Sequence, residues 1–154
     1  VDDLFGAKKR IGLKFPGAKG SQYIGCKVLS FKSEEQKDQD TKEIVTWDDG
    51  SPKMQVVIEL QVPGIIEKGD YDHNTEEWSP VEDDEGIRYL FCKGGLFTAM
   101  RNCMRQNKLK APAIGSTLDI KHVSTRKPSK TGRNGAKVYE IEYHAPTEED
   151  LFAV

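Results

Sequence analysis

Aromatic rings set between cations are the residues of this chain best suited to chemistry. Arg88-Tyr89-Leu90-Phe91-Cys92-Lys93 alternates with period 2. Leu90 and Cys92 can then turn inward while Tyr89 and Phe91 share the opposite face, between Arg88 and Lys93. Such a face stacks flat π-systems and attracts anions. Trp47 and Lys53 repeat the combination, and Lys27 adds a cation on another β-rich stretch. A second basic group runs from Ser124 to Gly135; it contains Arg126, Lys127, Lys130 and Arg133, several hydroxyls and no acid, and Lys137 follows it. Cations and hydroxyl donors on a loop suit phosphate oxygens. Phe31, Tyr139 and Tyr143 are further aromatic candidates, but Tyr139 and Tyr143 share a face with Ile141 and read as core.

Catalytic and metal readings find less support. Asp70-Tyr71-Asp72-His73-Asn74-Thr75-Glu76 has the oxygen spacing that opens a calcium loop. Thr75 stands where that loop needs Gly, and Val81 where it needs Glu. Cys26, Cys92, Cys103, His73, His122 and His144 show no zinc spacing. No phosphate-binding glycine loop follows a strand. The acids at 82–85 form one run, whereas the carboxylates of a metal-dependent nuclease come from separate elements; such a run reads as solvated. The expectation is a non-enzymatic protein with no catalytic residues, metal or cofactor.

Composition narrows the class. The chain has 154 residues, 36% hydrophobic and 31% charged, which fits one polar globular domain. No apolar run approaches the roughly 18 residues of a spanning helix. Val1-Asp2-Asp3-Leu4-Phe5 lacks the apolar stretch of a signal peptide, and the three dispersed cysteines argue for a reducing compartment. A cytoplasmic location is expected. The net charge of −2 conceals segregation. Leu4 to Ser33 contains no acid, Lys93 to Lys137 contains only Asp119, and the acids gather in 67–85 and 148–150. Separated blocks of this kind imply one basic face for an anionic partner.

The elements that must position these residues are five strands, at 22–33, 54–62, 86–93, 117–124 and 137–144. A helix at 95–107 carries the apolar stripe Leu96, Met100, Cys103 and Met104. Met54, Val56, Ile58, Leu60 and Val62 give the clearest alternation, after the turn Asp48-Asp49-Gly50-Ser51-Pro52. One helix between the third and fourth of five strands is the order of the OB-fold. The expected fold is therefore mainly β, a five-stranded OB-fold barrel with one α-helix between strands 3 and 4. Residues 1–21 read as a flexible basic N-terminal arm and 22–146 as the domain, with a long acidic loop at 65–85. Residues 147–154 read as an acidic, then hydrophobic, C-terminal tail.

Two stretches carry a family resemblance. Thr46-Trp47-Asp48-Asp49-Gly50-Ser51-Pro52-Lys53-Met54-Gln55-Val56-Val57 and Arg88 to Arg101, with the closing Lys137-Val138-Tyr139 to Tyr143, are spread over roughly residues 22–146. They resemble phage-type, actinobacteriophage-like OB-fold single-stranded-DNA-binding proteins. The resemblance implies a protein that coats single-stranded DNA in phage replication or recombination, in the host cytoplasm, with low sequence specificity. Phosphates would meet Lys27, Lys53, Arg88, Lys93, Arg126, Lys127, Lys130, Arg133 and Lys137. Bases would stack on Trp47, Tyr89 and Phe91. The tail Glu148-Glu149-Asp150-Leu151-Phe152 is similar to the acidic tips with which bacterial single-strand binders recruit replication and recombination proteins. Three points stay open at this stage: homo-oligomerisation, RNA in place of DNA, and a protein-interaction module that binds no nucleic acid.

Overall fold

The structure is a computed structural model, and it describes residues 10–16, 21–38, 40–125 and 137–147. Its main elements are β1 (Gln22–Glu35), β2 (Met54–Gln61), β5 (Ile87–Cys92), α1 (Gly95–Gln106), β6 (Thr117–Thr125) and β7 (Lys137–His144). The strands β3 (Asp70–Asp72) and β4 (Glu77–Ser79) form a separate two-stranded hairpin. The five long strands make one antiparallel sheet in the order β5-β2-β1-β6-β7.

Side-chain alternation decides which face is core. Ile58 and Leu60 of β2, Leu90 and Cys92 of β5, and Leu118 and Ile120 of β6 are fully buried together. Tyr139, Ile141 and Tyr143 of β7 pack against them, as expected of core residues. Met100, Cys103 and Met104 of α1 add the expected stripe, half-buried Leu96 packs beside them, and the helix lies against β7 and β5. The thiols of Cys26 and Cys92 are pushed up to about 12 by burial, so they stay protonated and inert near neutral pH.

The bend of β1 organises the sheet. Its first half pairs with β6 and its second half with β2. Between Tyr23 and Cys26 the register with β6 slips, and Gly25 sits there at φ 71. A bulge with a left-handed residue favours glycine and turns the strand sharply. The Gly25 amide donates to Asp119 Oδ1 at 2.8 Å, so the bulge is fastened to β6.

A closed barrel was expected, and none is found among the described residues. β5 and β7 are the edges of the sheet, with no ladder joining them. Residues 10–16 of the expected flexible arm lie along β5 instead. Tyr89 N–H donates to Ile11 O at 2.8 Å, and Leu13 N–H donates to Tyr89 O at 2.9 Å. Leu13 and Phe15 are buried in the core. The Phe15 ring lies edge-on to Tyr23 and to Tyr139 of β7, with centroids 5.3 and 5.0 Å away. Residues 10–16 thus reach from β5 to β7. The other expected arm residues, 1–9 and 17–20, lie outside the described residues, as does most of the C-terminal tail.

The acidic stretch 65–85 holds more order than a loop. Gly69 begins the β3–β4 hairpin at φ 89, and a Cβ there would lie 1.9 Å from the Ser79 carbonyl oxygen. Tyr71 and Trp78 face each other across the hairpin at 5.2 Å. Lys14 of the arm pairs with Asp70 at 2.7 Å. No helix among the described residues is long and apolar enough to cross a membrane.

If residues 10–16 are part of the core, Phe15→Ala should cost roughly 3–5 kcal/mol of stability, the usual range for deleting a buried aromatic ring. Urea unfolding at pH 7 measures it, and a cost near zero would return the arm to its sequence-based reading.

Candidate nucleic-acid interface

The solvent face of β1, β2 and β5 is built in rows set by strand register. Lys32, Val57 and Phe91 form one row, and Ser30, Glu59 and Tyr89 the next. Glu34 and Gln55 lie on one side of these rows, and Lys27, Gln61 and Ile87 on the other. Tyr89 and Phe91 therefore share the outer face, as their alternation with Leu90 and Cys92 predicts. Val57 is buried on this face without belonging to the core.

The rings carry a guanidinium. Arg10 lies with its Cζ 5.1 Å from the centroid of Tyr89 and 5.1 Å from that of Phe91. Its Nη2 donates to Glu34 Oε1 at 3.1 Å, and its Nη1 to Glu34 Oε2 at 3.4 Å. Gln55 Nε2 donates to the same carboxylate at 3.1 Å, and Lys32 stands 3.5 Å from it. Partial burial works to raise the Glu34 carboxyl, but Arg10, Gln55 and Lys32 outweigh it and hold the group below its ordinary value. Glu59 accepts from Ser30 Oγ at 3.0 Å and from the Tyr89 hydroxyl at 3.3 Å. Burial, then Glu59, raises the Tyr89 phenol, which stays neutral.

Trp47 is presented by the loop 36–53. Bridges Lys37–Ile44 and Thr46–Pro52 fold that loop onto itself. Trp47 N–H donates to Ser51 O at 2.8 Å, and Asp49 Oδ1 accepts from the Ser51 amide and hydroxyl at 2.9 and 2.6 Å. The indole is 58% exposed, with Lys53 Nζ 4.4 Å from its ring centroid. Ile44 and Met54 are exposed nearby in the chain, at 45% and 50%.

Among the expected phosphate contacts, Lys27, Lys53 and exposed Lys93 are accessible to different degrees. Arg88 is not, and its expected role is corrected. It is 1% exposed on the inward side of β5. It makes two 2.9 Å bonds to Asp84, and others to the carbonyls of Ile87 and Gly69, both at 2.9 Å. Arg88 ties the acidic hairpin to the sheet: its side chain is buried, and four of its five N–H donors are engaged within the chain. Arg126, Lys127, Lys130 and Arg133 lie outside the described residues. Lys137 is described only in its backbone, paired with Thr125.

Sequence reasoning missed Arg10. The signal was the short alternation Ile11, Leu13, Phe15, which marks an extended stretch beside Tyr89. It also missed the meeting of His144 with Asp119 and Glu142, whose ligand atoms lie within 4.8 Å of one another. His144 Nε2 is 2.9 Å from Asp119 Oδ2, and that bond raises the imidazole above its ordinary value. Asp119 also accepts from Gly25, so the Asp119–His144 pair borders the fastening of the β1 bulge. A cleft of about 340 Å³ between α1 and β6–β7, lined by Asn102, Gln106, Lys121 and Glu142 among others, shares no residue with the aromatic face.

No family model, curated protein or solved structure matches the chain.

The Arg88–Asp84 pair gives a test with a defined sign. Its side chains are 2% and 5% exposed, and Arg88 holds the Asp84 carboxyl below its ordinary value. Asp84→Asn leaves a buried guanidinium without its counter-charge and should cost about 3–5 kcal/mol at pH 7. A carboxyl depressed in the folded state stabilises fully above its unfolded pKa and loses that contribution as pH falls through the folded one. Wild-type and variant stabilities should converge in acid; parallel pH curves from urea unfolding would contradict the assignment.

Proposed function

We propose that this chain is a single-stranded-DNA-binding protein built on the OB-fold plan, coating DNA in replication or recombination with little sequence preference. The observation that carries the proposal is the Tyr89–Phe91 face. Two rings lie side by side on an open sheet surface and already hold a flat, delocalised cation. A nucleobase needs the same kind of surface, and stacking on such rings tolerates every base.

The topology favours this reading. Counting only the five long strands, the sheet order is 3-2-1-4-5, with a bent first strand shared between two neighbours and the helix between strands 3 and 4. OB-folds bind oligonucleotides on the face of strands 2 and 3, flanked by the loops between strands 1 and 2 and between strands 4 and 5. Here those parts are the outer face of β2 and β5, the loop carrying Trp47 and Lys53, and the basic stretch 126–136. The resemblance to phage-type single-strand binders supplies the biological role, with the acidic tail as a recruiting element for replication partners. Two observations favour the protein-interaction alternative: Glu34 and Glu59 stand on the same face, and the acidic hairpin carries the partly exposed Trp78.

Fluorescence titration with poly-dT tests the proposal, using Trp78→Phe so that Trp47 alone reports. Expected are saturable quenching, weakening with salt, and preference for the single strand over duplex DNA. Phe91→Ala should weaken binding by roughly 5- to 150-fold, the effect of losing one stacked base at about 1–3 kcal/mol. No quenching and no gel shift would transfer the assignment to the interaction module.

A further inference from the structure

We propose that Arg10 is a displaceable occupant of the nucleobase position over Tyr89 and Phe91, an internal competitor that a single strand must push aside. The inference rests on the single-strand reading of this face and adds a regulation to it. The guanidinium is planar and delocalised, and it stacks on aromatic faces much as a base does. Its Cζ is 5.1 Å from the centroid of each ring, so it stands in the space that a base approaching either ring would enter.

Its tether permits exchange. The neighbouring backbone is fixed, because Ile11 and Leu13 bond to Tyr89. The Arg10 side chain itself is 36% exposed and, among the described residues, is held by the two rings and by Glu34. Rotation of that side chain opens the side of the rings that Arg10 covers while the arm stays in the core, with Gly12 still beside the Phe91 ring. Glu34 then has a definite part. An acid is out of place on a surface that meets phosphates, but it suits the counter-charge of a latch. Gln55 and Lys32 still contact that carboxylate when Arg10 leaves.

The proposal makes a prediction of opposite sign to simple electrostatics. Removing a cation from a DNA-binding face weakens binding and flattens its salt slope. Removing an occupant strengthens binding. Cation–π and exposed ion-pair contacts of this kind are individually weak, so the gain is moderate. Arg10→Ala should bind a dT oligonucleotide roughly three- to tenfold more tightly than wild type, with an unchanged salt slope. Arg10→Gln should move the same way and guards against a folding artefact, with circular dichroism as the check. Lys32→Ala, which removes a cation that does not cover the rings, should weaken binding.

Tighter binding by both Arg10 variants supports the proposal, and so does binding by the variants alone. Equal or weaker binding by the variants, while wild type binds, overturns the latch and leaves the interface standing. Absence of binding by wild type and variants together overturns the interface and the latch with it.

Discussion

A sheet that stops short of closure leaves two edges whose backbone groups and apolar flank need cover, and the rest of this molecule follows from how that need is met. β5 and β7 do not pair with each other. The segment 10–16 reaches from one to the other, satisfies both backbone groups of Tyr89, and places Leu13 and Phe15 in the core. Phe15 meets Tyr23 and Tyr139, so the first, arm-proximal part of the chain and the last strand are joined by aromatic contact. Because Arg10 immediately precedes this insertion, it is delivered to the outer face of β5. The covering of an open edge and the occupation of the Tyr89–Phe91 surface are two consequences of one placement.

Charge is sorted by the same architecture. The acidic hairpin β3–β4 is held by Arg88 through Asp84 and the Gly69 carbonyl, and by Lys14 through Asp70. Two basic residues of the sequence are thereby committed to acids of their own chain. The outer face keeps Lys27, Lys32, Lys53 and Lys93, with Glu34 and Glu59 among them.

Much of the sheet was legible because side-chain alternation is a local signal. Met54 to Gln61 and Ile87 to Cys92 fall within a residue or two of the expected strands, and the stripe Leu96, Met100, Cys103, Met104 marks α1 closely. The same alternation that turned Tyr89 and Phe91 outward also placed Arg88 on the inward side, so its burial could have been read. Its partner could not, since the Asp84 carboxylate reaches it by a loop geometry with no periodic signature. The insertion of 10–16 was masked by Gly12 and Pro16, which break a short alternating run. The Tyr71–Trp78 hairpin was hidden in an acidic stretch whose composition suggested solvent. Asp119, Glu142 and His144 meet only through the β6–β7 register, which no local pattern specifies.

If a single strand lies across the outer face of β2 and β5, its binding must perturb that face first. Amide and indole chemical-shift mapping of the labelled protein with a short dT oligonucleotide tests it most directly. The largest shifts are expected at the Trp47 indole and at Lys32, Val57, Tyr89, Phe91 and Lys93, with the β3–β4 hairpin unmoved. Shifts confined to the hairpin or to the outer face of β6 and β7, or none at saturating oligonucleotide, would contradict it.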